Sequence, residues 1–339
     1  MSELLLLFPL TLVALRLFAT KATKLGFVDI PNERSIHDRY IPRGAGMVFV
    51  AISLLSLLLF HHELFKEHPY TLLSIVIVTL SGAIDDRSGL DPTAKFTAIA
   101  IATVIIYFDG FQIVDVGRYM GVEVSLSWLS LPFTYFAVAG FTNAMNLIDG
   151  LDGLCASIAI SIFSLFALVG YIYDDTFILL ISLTFITVLL AFLVYNWYPA
   201  SLFMGDSGSL SLGFVISIVS IKALEYLPAP TILYIGALPI LDTFFVIARR
   251  KSNGIGAMTP DRCHLHHIMY RVTGSETLTV GILLGLQTLF FIPAYFLHNL
   301  DNQIYALLLF FILFYLIYRV GISLIESFEI ECFSEKRGR

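Results

Sequence analysis

Eleven apolar runs separated by polar loops constrain the fold of this chain more than any other feature of its sequence. Each run approaches the length that crosses about 30 Å of hydrocarbon, and the fourth is short enough to leave a count of ten open. The runs cover residues 3–20, 44–61, 69–84, 96–108, 127–146, 154–172, 176–195, 208–226, 229–248, 278–297 and 303–325. Inside a bilayer every backbone polar group needs an internal partner, so each run predicts an α-helix. We therefore expect an all-α, polytopic membrane protein.

The composition supports this class and excludes others. Only 14% of the side chains are charged and the mean hydropathy is +0.85, whereas soluble domains carry about 25% charged residues. The net charge of −6 argues against nucleic acid as a partner, because phosphate backbones are held by clustered basic surface. The cysteines, Cys155, Cys263 and Cys332, are scattered and predict neither a zinc site nor a disulfide framework. One domain over residues 1–339 is the simplest organisation.

The basic residues predict an orientation. When the loops between the eleven runs are assigned alternately to two sides, fifteen Lys and Arg residues lie on one side and three on the other. Cytoplasmic loops hold the excess of Lys and Arg, so the N-terminus is expected outside and the C-terminus in the cytoplasm. The first run lacks the positively charged leader of a cleaved signal peptide, and we expect it to be retained.

Unusual polar residues concentrate in the loops on the predicted cytoplasmic side. Polar groups this costly to dehydrate are functional candidates when they occur near lipid. We expect one active site, built from loops 21–43, 85–95, 147–153, 197–207 and 249–277. The most informative segments are GAIDDRSGLDPTAK (82–95), AMNLIDGLDGL (144–154), NWYPASLFMGDSGS (196–209) and PDRCHLHH (260–267).

Amide and carboxylate residues recur at every third position of the second segment, at Asn143, Asn146, Asp149 and Asp152. Three residues advance an α-helix by about 300°, so these positions cannot share one face of a straight helix. Either the helix end tightens toward a 3₁₀ turn, or Gly150 and Gly153 break the helix and fold the acids back. Both arrangements gather oxygen ligands, whereas a simple helix cap needs one such residue.

Each feature also has a structural interpretation. Adjacent acids such as Asp85 and Asp86 can cap a loop, and Asp206 lies between glycine and serine, where turns are common. The basic run 249–251 is more typical of a topology anchor than of a site. Three histidines crowded into four positions favour function over structure: His264, His266 and His267.

The acids predict a metal site. Five carboxylates fall on the predicted cytoplasmic side, at Asp85, Asp86, Asp149, Asp152 and Asp206. Their mutual repulsion favours a bound cation, and hard oxygen ligands suit Mg²⁺, which also accepts substrate phosphates in its shell. Carboxylates, a divalent metal and basic groups are the components of phosphoryl transfer. At the edge of a bilayer they suggest one substrate from water and one from lipid.

Together these segments resemble the bacterial polyprenyl-phosphate N-acetylhexosamine-1-phosphate transferases, with the motifs in the same order from about residue 29 to 267. The resemblance implies transfer of an N-acetylhexosamine-1-phosphate, most often GlcNAc-1-phosphate, from a UDP-sugar to undecaprenyl phosphate in the inner membrane. UMP is released, a cell-envelope glycan such as O-antigen is started, and Mg²⁺ or Mn²⁺ is the cofactor. The implied partners are a UDP-N-acetylhexosamine, undecaprenyl phosphate and membrane lipid, while homodimerisation is left open.

The resemblance also implies roles for individual residues. Asp206 would bind the metal, with Asn146 as a further ligand in some relatives. Asp85 would orient the lipid phosphate or accept its proton, and Asp86 would support Asp85. The implied substrate-binding residues are Asp149, Asp152, Phe203, Gly205, Lys95, Arg262, His264, His266 and His267. Within that set, Asp152, Phe203 and Gly205 would hold the uracil, and the basic residues and histidines would contact phosphate and sugar.

The histidine motif separates two branches of this family. The sequence HLHH (264–267) is similar to the GlcNAc-1-phosphate transferases, whereas three consecutive histidines are typical of the phospho-MurNAc-pentapeptide transferases, the alternative donor class.

Two motifs depart from the family pattern. The family's RKxH is here RSIH (34–37), without the lysine, and its PxxGG is PRGAG (42–46), without one glycine.

We expect a single displacement, in which the lipid phosphate oxygen attacks the β-phosphorus of the nucleotide sugar and UMP leaves. A covalent aspartyl-phosphate intermediate is the alternative mechanism. From other functional classes, an ion-coupled transporter would place its acids near the bilayer midplane on broken helices. An inactive scaffold would be expected to have lost one of the five acids.

Overall fold

The computed structural model describes residues 2–30, 40–254, 256, 263–330 and 332. Its helices are α1 (Ser2–Leu25), α2 (Ala45–Phe60), α3 (Thr71–Ser88), α4 (Pro92–Phe108), α5 (Ser130–Leu147), α6 (Leu154–Ile172), α7 (Thr176–Asn196), α8 (Asp206–Ala223), α9 (Ala229–Ile235), α10 (Ala237–Ser252), α11 (Leu265–Thr273), α12 (Glu276–Leu289), α13 (Phe291–Leu297) and α14 (Ile304–Ser327). Two antiparallel hairpins accompany them, β1 (Val28–Asp29) with β2 (Ile41–Pro42) and β3 (Asp115–Tyr119) with β4 (Val122–Ser125). The predicted all-α class is confirmed.

The apolar helices are those of a multi-pass membrane protein. Within the described residues, six helical segments are long and apolar enough to cross a bilayer, and the bent pair α9–α10 makes a seventh. Helices α2 and α4 are apolar but shorter, with 16 and 17 residues. Each of the eleven predicted runs is helical, two of them as consecutive pairs, α9–α10 and α12–α13.

Helix α8 lies at the centre of the bundle. In its most apolar window 83% of the residues are buried, against 11% in α14. Glycines let the neighbouring helices approach α8 closely, because a Cβ on Gly46 of α2 or on Gly82 of α3 would overlap the backbone between Asp206 and Gly208. Small residues at such positions are the usual means by which membrane helices pack tightly. The N-terminus of α8 is therefore held firmly between α2 and α3.

The sequence predicted one helix for the ninth run, but this run forms two. It breaks at Gly236, and α9 and α10 meet at a bend of 86°. The side chain of Gln287 occupies the break, donating from Nε2 to the carbonyl of Ile235 at 2.7 Å and accepting from the backbone N–H of Leu238 at 2.9 Å. A buried side chain that satisfies the freed backbone groups makes such a break tolerable within a membrane protein.

Asp85 and Asp86 lie in the last turn of α3, whereas the sequence analysis placed them in a loop. Helix α3 continues to Ser88, and Gly89 ends it with a φ of +71°. The acids are tolerated in the helix because cations and backbone donors from α4, α8 and the segment before α2 pair with them. Lys95 and Asp206 likewise lie in the first turns of α4 and α8.

A disulfide links Cys263 to Cys332, which contradicts the expectation that the scattered cysteines pair with nothing. The bond joins the segment before α11 to the segment after α14 across a separation of 69 residues. That separation carries no local sequence signal, so the pairing follows from the packing of α10, α11 and α14. Cys155 is free and buried in α6.

The opposite end of the bundle, around the C-termini of α2, α4, α6 and α8, carries its own buried acids. Asp109 at the end of α4 accepts from the backbone N–H of Tyr70 at 3.1 Å and from the Thr71 hydroxyl at 2.7 Å. Asp175 caps α7 by accepting from the N–H of Ile178 at 2.8 Å. These acids serve as hydrogen-bond acceptors at the ends of helices.

Candidate active site

Three aspartates from two helices meet at the end of the bundle opposite Asp109. One carboxylate oxygen from each of Asp85, Asp86 and Asp206 lies within 4.8 Å of the other two. The close approach of α3 to α8, which Gly82 permits, brings these carboxylates together. We call Asp85, Asp86 and Asp206 the acid cluster.

Asp86 caps the N-terminus of α8. Its carboxylate accepts from the backbone N–H of Asp206 at 2.8 Å and of Ser207 at 3.0 Å. Free N–H groups and the helix dipole both stabilise an anion at this position. The Asp86 side chain is fully buried, and a Cβ on Gly205 would overlap its carboxylate. Asp86 therefore fixes the position of α8, and with it the position of Asp206.

Lys95 bridges the other two carboxylates of the acid cluster. Its Nζ lies 2.9 Å from Asp85 Oδ1 and 2.6 Å from Asp206 Oδ2. Asp85 Oδ1 also accepts from the backbone N–H of Leu90 at 2.7 Å. The start of α4 places the lysine, since Asp91 caps this helix and Pro92 begins it. The predicted phosphate-binding lysine thus lies directly beside the predicted metal ligand.

Arg43 supplies the second cation of the acid cluster. Its Nη2 lies 2.9 Å from Asp86 Oδ1 and 3.8 Å from Asp85 Oδ2, and its Nη1 lies 3.7 Å from Asp29 Oδ1. Burial alone would lower the pKa of Arg43, but the adjacent carboxylates, Asp86 first, raise it above its usual value. Arg43 therefore remains a cation in contact with the acid cluster.

The two glycines of the PRGAG segment have distinct structural roles. Gly44 adopts a φ of +91°, a conformation that favours glycine. Gly46 contacts the backbone of α8, where no Cβ fits. The departure from the family pattern falls between them, at Ala45, whose N–H donates to the carbonyl of Phe203 at 3.1 Å. The other departure, at residues 34–37, lies outside the described residues.

The segment between α5 and α6 follows the second of the two predicted arrangements. Helix α5 ends at Leu147, and α6 starts after Gly153, which has a φ of +75°. Asp149 and Asp152 thus lie in a turn outside both helices. A Cβ on Gly150 would overlap the ring of His266, so this turn lies directly against the histidine motif.

Asn146 and Asp149 face the beginning of α8. The Asn146 amide nitrogen donates to the Ser209 hydroxyl at 2.8 Å. Burial, followed by the negative charges of Asp206 and Asp86, raises the pKa of Asp149 to about 8. The charge of Asp149 is therefore coupled to the acid cluster.

Asp152 connects three segments of the candidate site. Its Oδ2 accepts from the backbone N–H of Ala200 at 2.8 Å, which fixes the loop that leads to α8. Its own N–H donates to Glu276 Oε2 at 3.4 Å, at the start of α12. Glu276 is buried, and the sequence analysis did not identify it.

Phe203 and Gly205 belong to an extended segment between α7 and α8. The backbone N–H of Phe203 donates to the carbonyl of Pro42 at 2.8 Å, and the carbonyl of Met204 accepts from Gly46 at 3.0 Å. Gly205 adopts a φ of +69° at the N-cap of α8. Backbone pairing thus holds Phe203 against the PRGAG segment, while Gly205 lies against the Asp86 carboxylate.

The three histidines form one group at the start of α11. The His266 ring lies between its neighbours in sequence, with centroids 5.4 Å from His264 and 4.2 Å from His267. Burial, and then the neighbouring imidazoles, lowers the pKa of His267 to about 3, so this ring is neutral at pH 7. Arg262, the remaining predicted substrate-binding residue, lies outside the described residues.

One further acid belongs to this region and was missed by the sequence analysis. Asp242 of α10 is buried and contacts both His264 and His266. A sequence signal existed, because Asp242 is a lone carboxylate within an apolar run, where an ionisable residue indicates function.

The chemistry of the acid cluster fits a divalent cation. Among the described residues, three carboxylates meet two cations there, with Asp149 as a further nearby acid. Carboxylate oxygens are the ligands that Mg²⁺ prefers. A second group, Asp242 with His264 and His266, also has ligand atoms within 4.8 Å. Its imidazole nitrogens suit softer metals than Mg²⁺, so the acid cluster is the better match for a metal that binds a diphosphate.

Comparison with known proteins identifies the family. Residues 68–224 match glycosyl transferase family 4. The chain is 31% identical over 307 residues to a probable undecaprenyl-phosphate N-acetylglucosaminyl 1-phosphate transferase of Bacillus subtilis, covering 87% of this chain and 84% of the relative. It is 30% identical over 320 residues to the decaprenyl-phosphate N-acetylglucosaminephosphotransferase of Mycolicibacterium smegmatis, covering 80% of this chain and 78% of the relative.

The other branch of the family is also similar. A phospho-N-acetylmuramoyl-pentapeptide-transferase of Streptococcus thermophilus is 32% identical over 295 residues, covering 76% of this chain and 84% of the relative. The resemblance stated from the sequence motifs is confirmed, and so is the enzymatic class. The chain belongs to glycosyl transferase family 4, as a membrane-bound polyprenyl-phosphate sugar-1-phosphate transferase.

Proposed function

We propose that this enzyme transfers GlcNAc-1-phosphate from UDP-GlcNAc to undecaprenyl phosphate, releasing UMP and starting a cell-envelope glycan. The observation that carries this proposal is the meeting of Asp85, Asp86 and Asp206 with Lys95 and Arg43 at one end of the bundle. Acids that can hold a metal, next to cations that can hold phosphate, suit a reaction between two phosphorylated substrates. The name of the Bacillus subtilis relative supports the choice of sugar and lipid.

The proposed reaction is a single displacement. An oxygen of the lipid phosphate forms a bond to the β-phosphorus of the nucleotide sugar, and the bond from that phosphorus to the bridging oxygen breaks. UMP leaves with the bridging oxygen. A phosphate monoester already carries about −1.5 to −2 charge at pH 7, so Asp85 needs only to orient the lipid phosphate beside Lys95. No covalent aspartyl-phosphate is required.

Mg²⁺, held by Asp206 with Asn146 as a further ligand, would supply charge neutralisation at the diphosphate. When a metal neutralises part of the negative charge of the acid cluster, Lys95 and Arg43 can contact the phosphates of the two substrates. Asp152 and the Phe203–Gly205 segment would hold the uracil, and His264, His266 and His267 would contact the sugar diphosphate. Arg262 completes the proposed set.

We propose that the chain crosses the inner membrane eleven times, with the acid cluster facing the cytoplasm. The support is the fifteen-to-three distribution of Lys and Arg between the predicted loops. Each of the eleven runs is also helical, although four of them are shorter or less apolar than the spans that length and composition alone identify. The nucleotide sugar would then reach the site from the cytoplasm and the lipid phosphate from the inner leaflet.

The donor choice has one specific rival. Relatives named as phospho-N-acetylmuramoyl-pentapeptide transferases reach a similar identity, so the overall similarity does not separate the two donors. The histidine motif supports the GlcNAc donor, because HLHH lacks the three consecutive histidines that are typical of the pentapeptide branch. Family membership disfavours an ion-coupled transporter.

A donor panel tests the proposal. Purified protein in detergent is incubated with Mg²⁺ and undecaprenyl phosphate, together with UDP-GlcNAc, UDP-GalNAc or UDP-MurNAc-pentapeptide, and UMP release is followed. We expect release with UDP-GlcNAc that depends on both the lipid and the metal. Release with the pentapeptide donor alone would reject the donor assignment, and the absence of release from all three would reject the proposed function.

The same assay separates the two mechanisms. Incubation with UDP-GlcNAc labelled in the β-phosphate, without lipid acceptor, should leave the protein unlabelled. Recovery of an acid-stable label on an aspartate of the protein would reject the single displacement.

A further inference from the structure

Asp242 is a buried acid to which the proposed mechanism gives no task. It lies on α10, six residues after the break at Gly236, and is 1% exposed. Its Oδ2 lies 2.6 Å from His264 Nδ1, and its Oδ1 accepts from the backbone N–H of Leu265 at 2.5 Å. A carboxylate this deeply buried is retained only if its partners offset the cost of dehydration.

We propose that Asp242 is a positioning residue that sets the orientation of His264 and His266 toward the sugar-phosphate donor. The proposal rests on the function proposed above, in which the histidines contact that donor. It assigns to Asp242 a role in donor binding through the imidazoles and no contact with substrate.

The contact with Asp242 fixes the His264 ring. A carboxylate that accepts the Nδ1 proton of an imidazole sets both the ring plane and the tautomer. Because Asp242 also accepts from Leu265, which follows His264 directly, the backbone of the motif is held by the same carboxylate. Rotation of the His264 ring would break its short contact with Asp242.

His266 extends this arrangement toward the turn that carries Asp149. Its Nδ1 lies 3.8 Å from Asp242 Oδ1, close enough for attraction but too far for a hydrogen bond. Both ring nitrogens of His266 are buried without a hydrogen-bond partner among the described residues. An unsatisfied buried polar group is costly, which supports a use for this ring when donor is bound. The ring also packs against Gly150.

A purely structural role makes a different prediction. If Asp242 serves only to fasten the start of α11 to α10, its loss lowers stability and the fraction of folded enzyme. KM does not depend on the amount of folded enzyme. A positioning role therefore predicts a change of KM for the nucleotide sugar that a folding defect cannot produce.

The test is steady-state kinetics of full-length Asp242→Asn in detergent, with UDP-GlcNAc and undecaprenyl phosphate varied in turn. Loss of a carboxylate that orients a metal-bound imidazole costs about 10- to 100-fold in metal affinity or activity, which sets the scale here. We expect the KM for UDP-GlcNAc to rise about 10-fold, with the KM for the lipid unchanged. Asp109→Asn, which alters an acid of similar burial at the opposite end of the bundle, is the matched control and should leave both KM values unchanged.

A double-mutant cycle tests whether Asp242 acts through His264. We expect Asp242→Asn to add little to the effect of His264→Gln, because partners in one contact are not additive. Fully additive losses would overturn the proposal, as would an unchanged KM for UDP-GlcNAc in either single variant. In those outcomes the wild-type enzyme still releases UMP. Failure of the donor panel, in which the wild-type enzyme releases no UMP, would instead reject the proposed function.

Discussion

Buried aspartates occur at both ends of this helical bundle, and their surroundings differ. At one end, Asp109 and Asp175 accept hydrogen bonds from backbone N–H groups and hydroxyls at the ends of helices. At the other end, three aspartates lie within 4.8 Å of one another. Acids that only stabilise a fold can remain apart, because each needs no more than a few donors. Acids gathered against their mutual repulsion support the proposed binding of a cation and phosphates.

The largest expected difference between the two ends follows from neutralising one acid at each end. Asp206→Asn should lower kcat by roughly 10³-fold, the order of loss when one group that stabilises transition-state charge is removed. Asp109→Asn should change thermal stability and leave kcat per folded enzyme unchanged. The readouts are UMP release and the midpoint of thermal unfolding. Comparable losses of kcat in both variants would remove the distinction between the two ends.

Within the acid cluster, Asp86 and Asp85 should differ in what they stabilise. Asp86→Asn leaves Arg43 and the N-terminus of α8 without their buried anion, and breaking such a pair costs about 3 kcal/mol or more. Asp85→Asn removes a more exposed carboxylate and should reduce turnover with less effect on unfolding. Thermal unfolding of both variants in detergent, with Asp175→Asn as a helix-cap control, measures the difference. An Asp86→Asn protein no less stable than the control would refute the capping role.

Asp152 tests whether an acid in this region can bind substrate and hold a loop together. Asp152→Ala should weaken nucleotide binding by about 10-fold, the scale of one lost charged hydrogen bond, because it removes a uracil contact and frees the Ala200 loop. Calorimetric titration with UMP measures this affinity. Asp175→Ala, which also releases a backbone N–H from a carboxylate, is the control. Unchanged UMP affinity in the Asp152 variant would contradict its role at the base.

A further prediction concerns the pH dependence of stability. The folded pKa of Asp149 is raised to about 8, while an unfolded aspartate titrates near about 3.9. Between these values the folded state binds more protons, so stability declines as pH rises through this range. Asp149→Asn removes this titration. In EDTA, the variant should unfold at a higher temperature than wild type at pH 8.5, and the difference should be clearly smaller at pH 5.

Equal differences between wild type and Asp149→Asn at the two pH values would show that the Asp149 carboxyl keeps its usual pKa. Asp109→Asn provides the comparison at the other end of the bundle.

The sequence was sufficient to predict the helical class, the location of the helical runs and the acids that the fold brings together, because apolar length and isolated charges are strong signals in a membrane protein. It could not show that Asp86 caps α8 or that Lys95 contacts Asp206, since those contacts join residues more than 100 positions apart. The break at Gly236 was also missed. Gly236 has ordinary apolar neighbours in sequence, and the residue that satisfies the break, Gln287, lies in another helix.

Asp242 and the Cys263–Cys332 disulfide were missed for different reasons. Asp242 had a signal that went unused, a single carboxylate in an apolar run. The disulfide had none, because its two cysteines become neighbours only when α10, α11 and α14 pack together.

The close contacts at Gly46, Gly82 and Gly205 mean that this candidate active site depends on positions that have no side chain. A Cβ at any of the three would displace the α8 backbone or the Asp86 carboxylate, although none of these glycines offers a group that could take part in chemistry. A saturation library selected for activity should therefore reject alanine at these positions as strictly as it rejects substitution of the acids. To transfer the site to another helical scaffold, a designer would have to keep these glycines and the close helix contacts that they permit, together with the charged side chains.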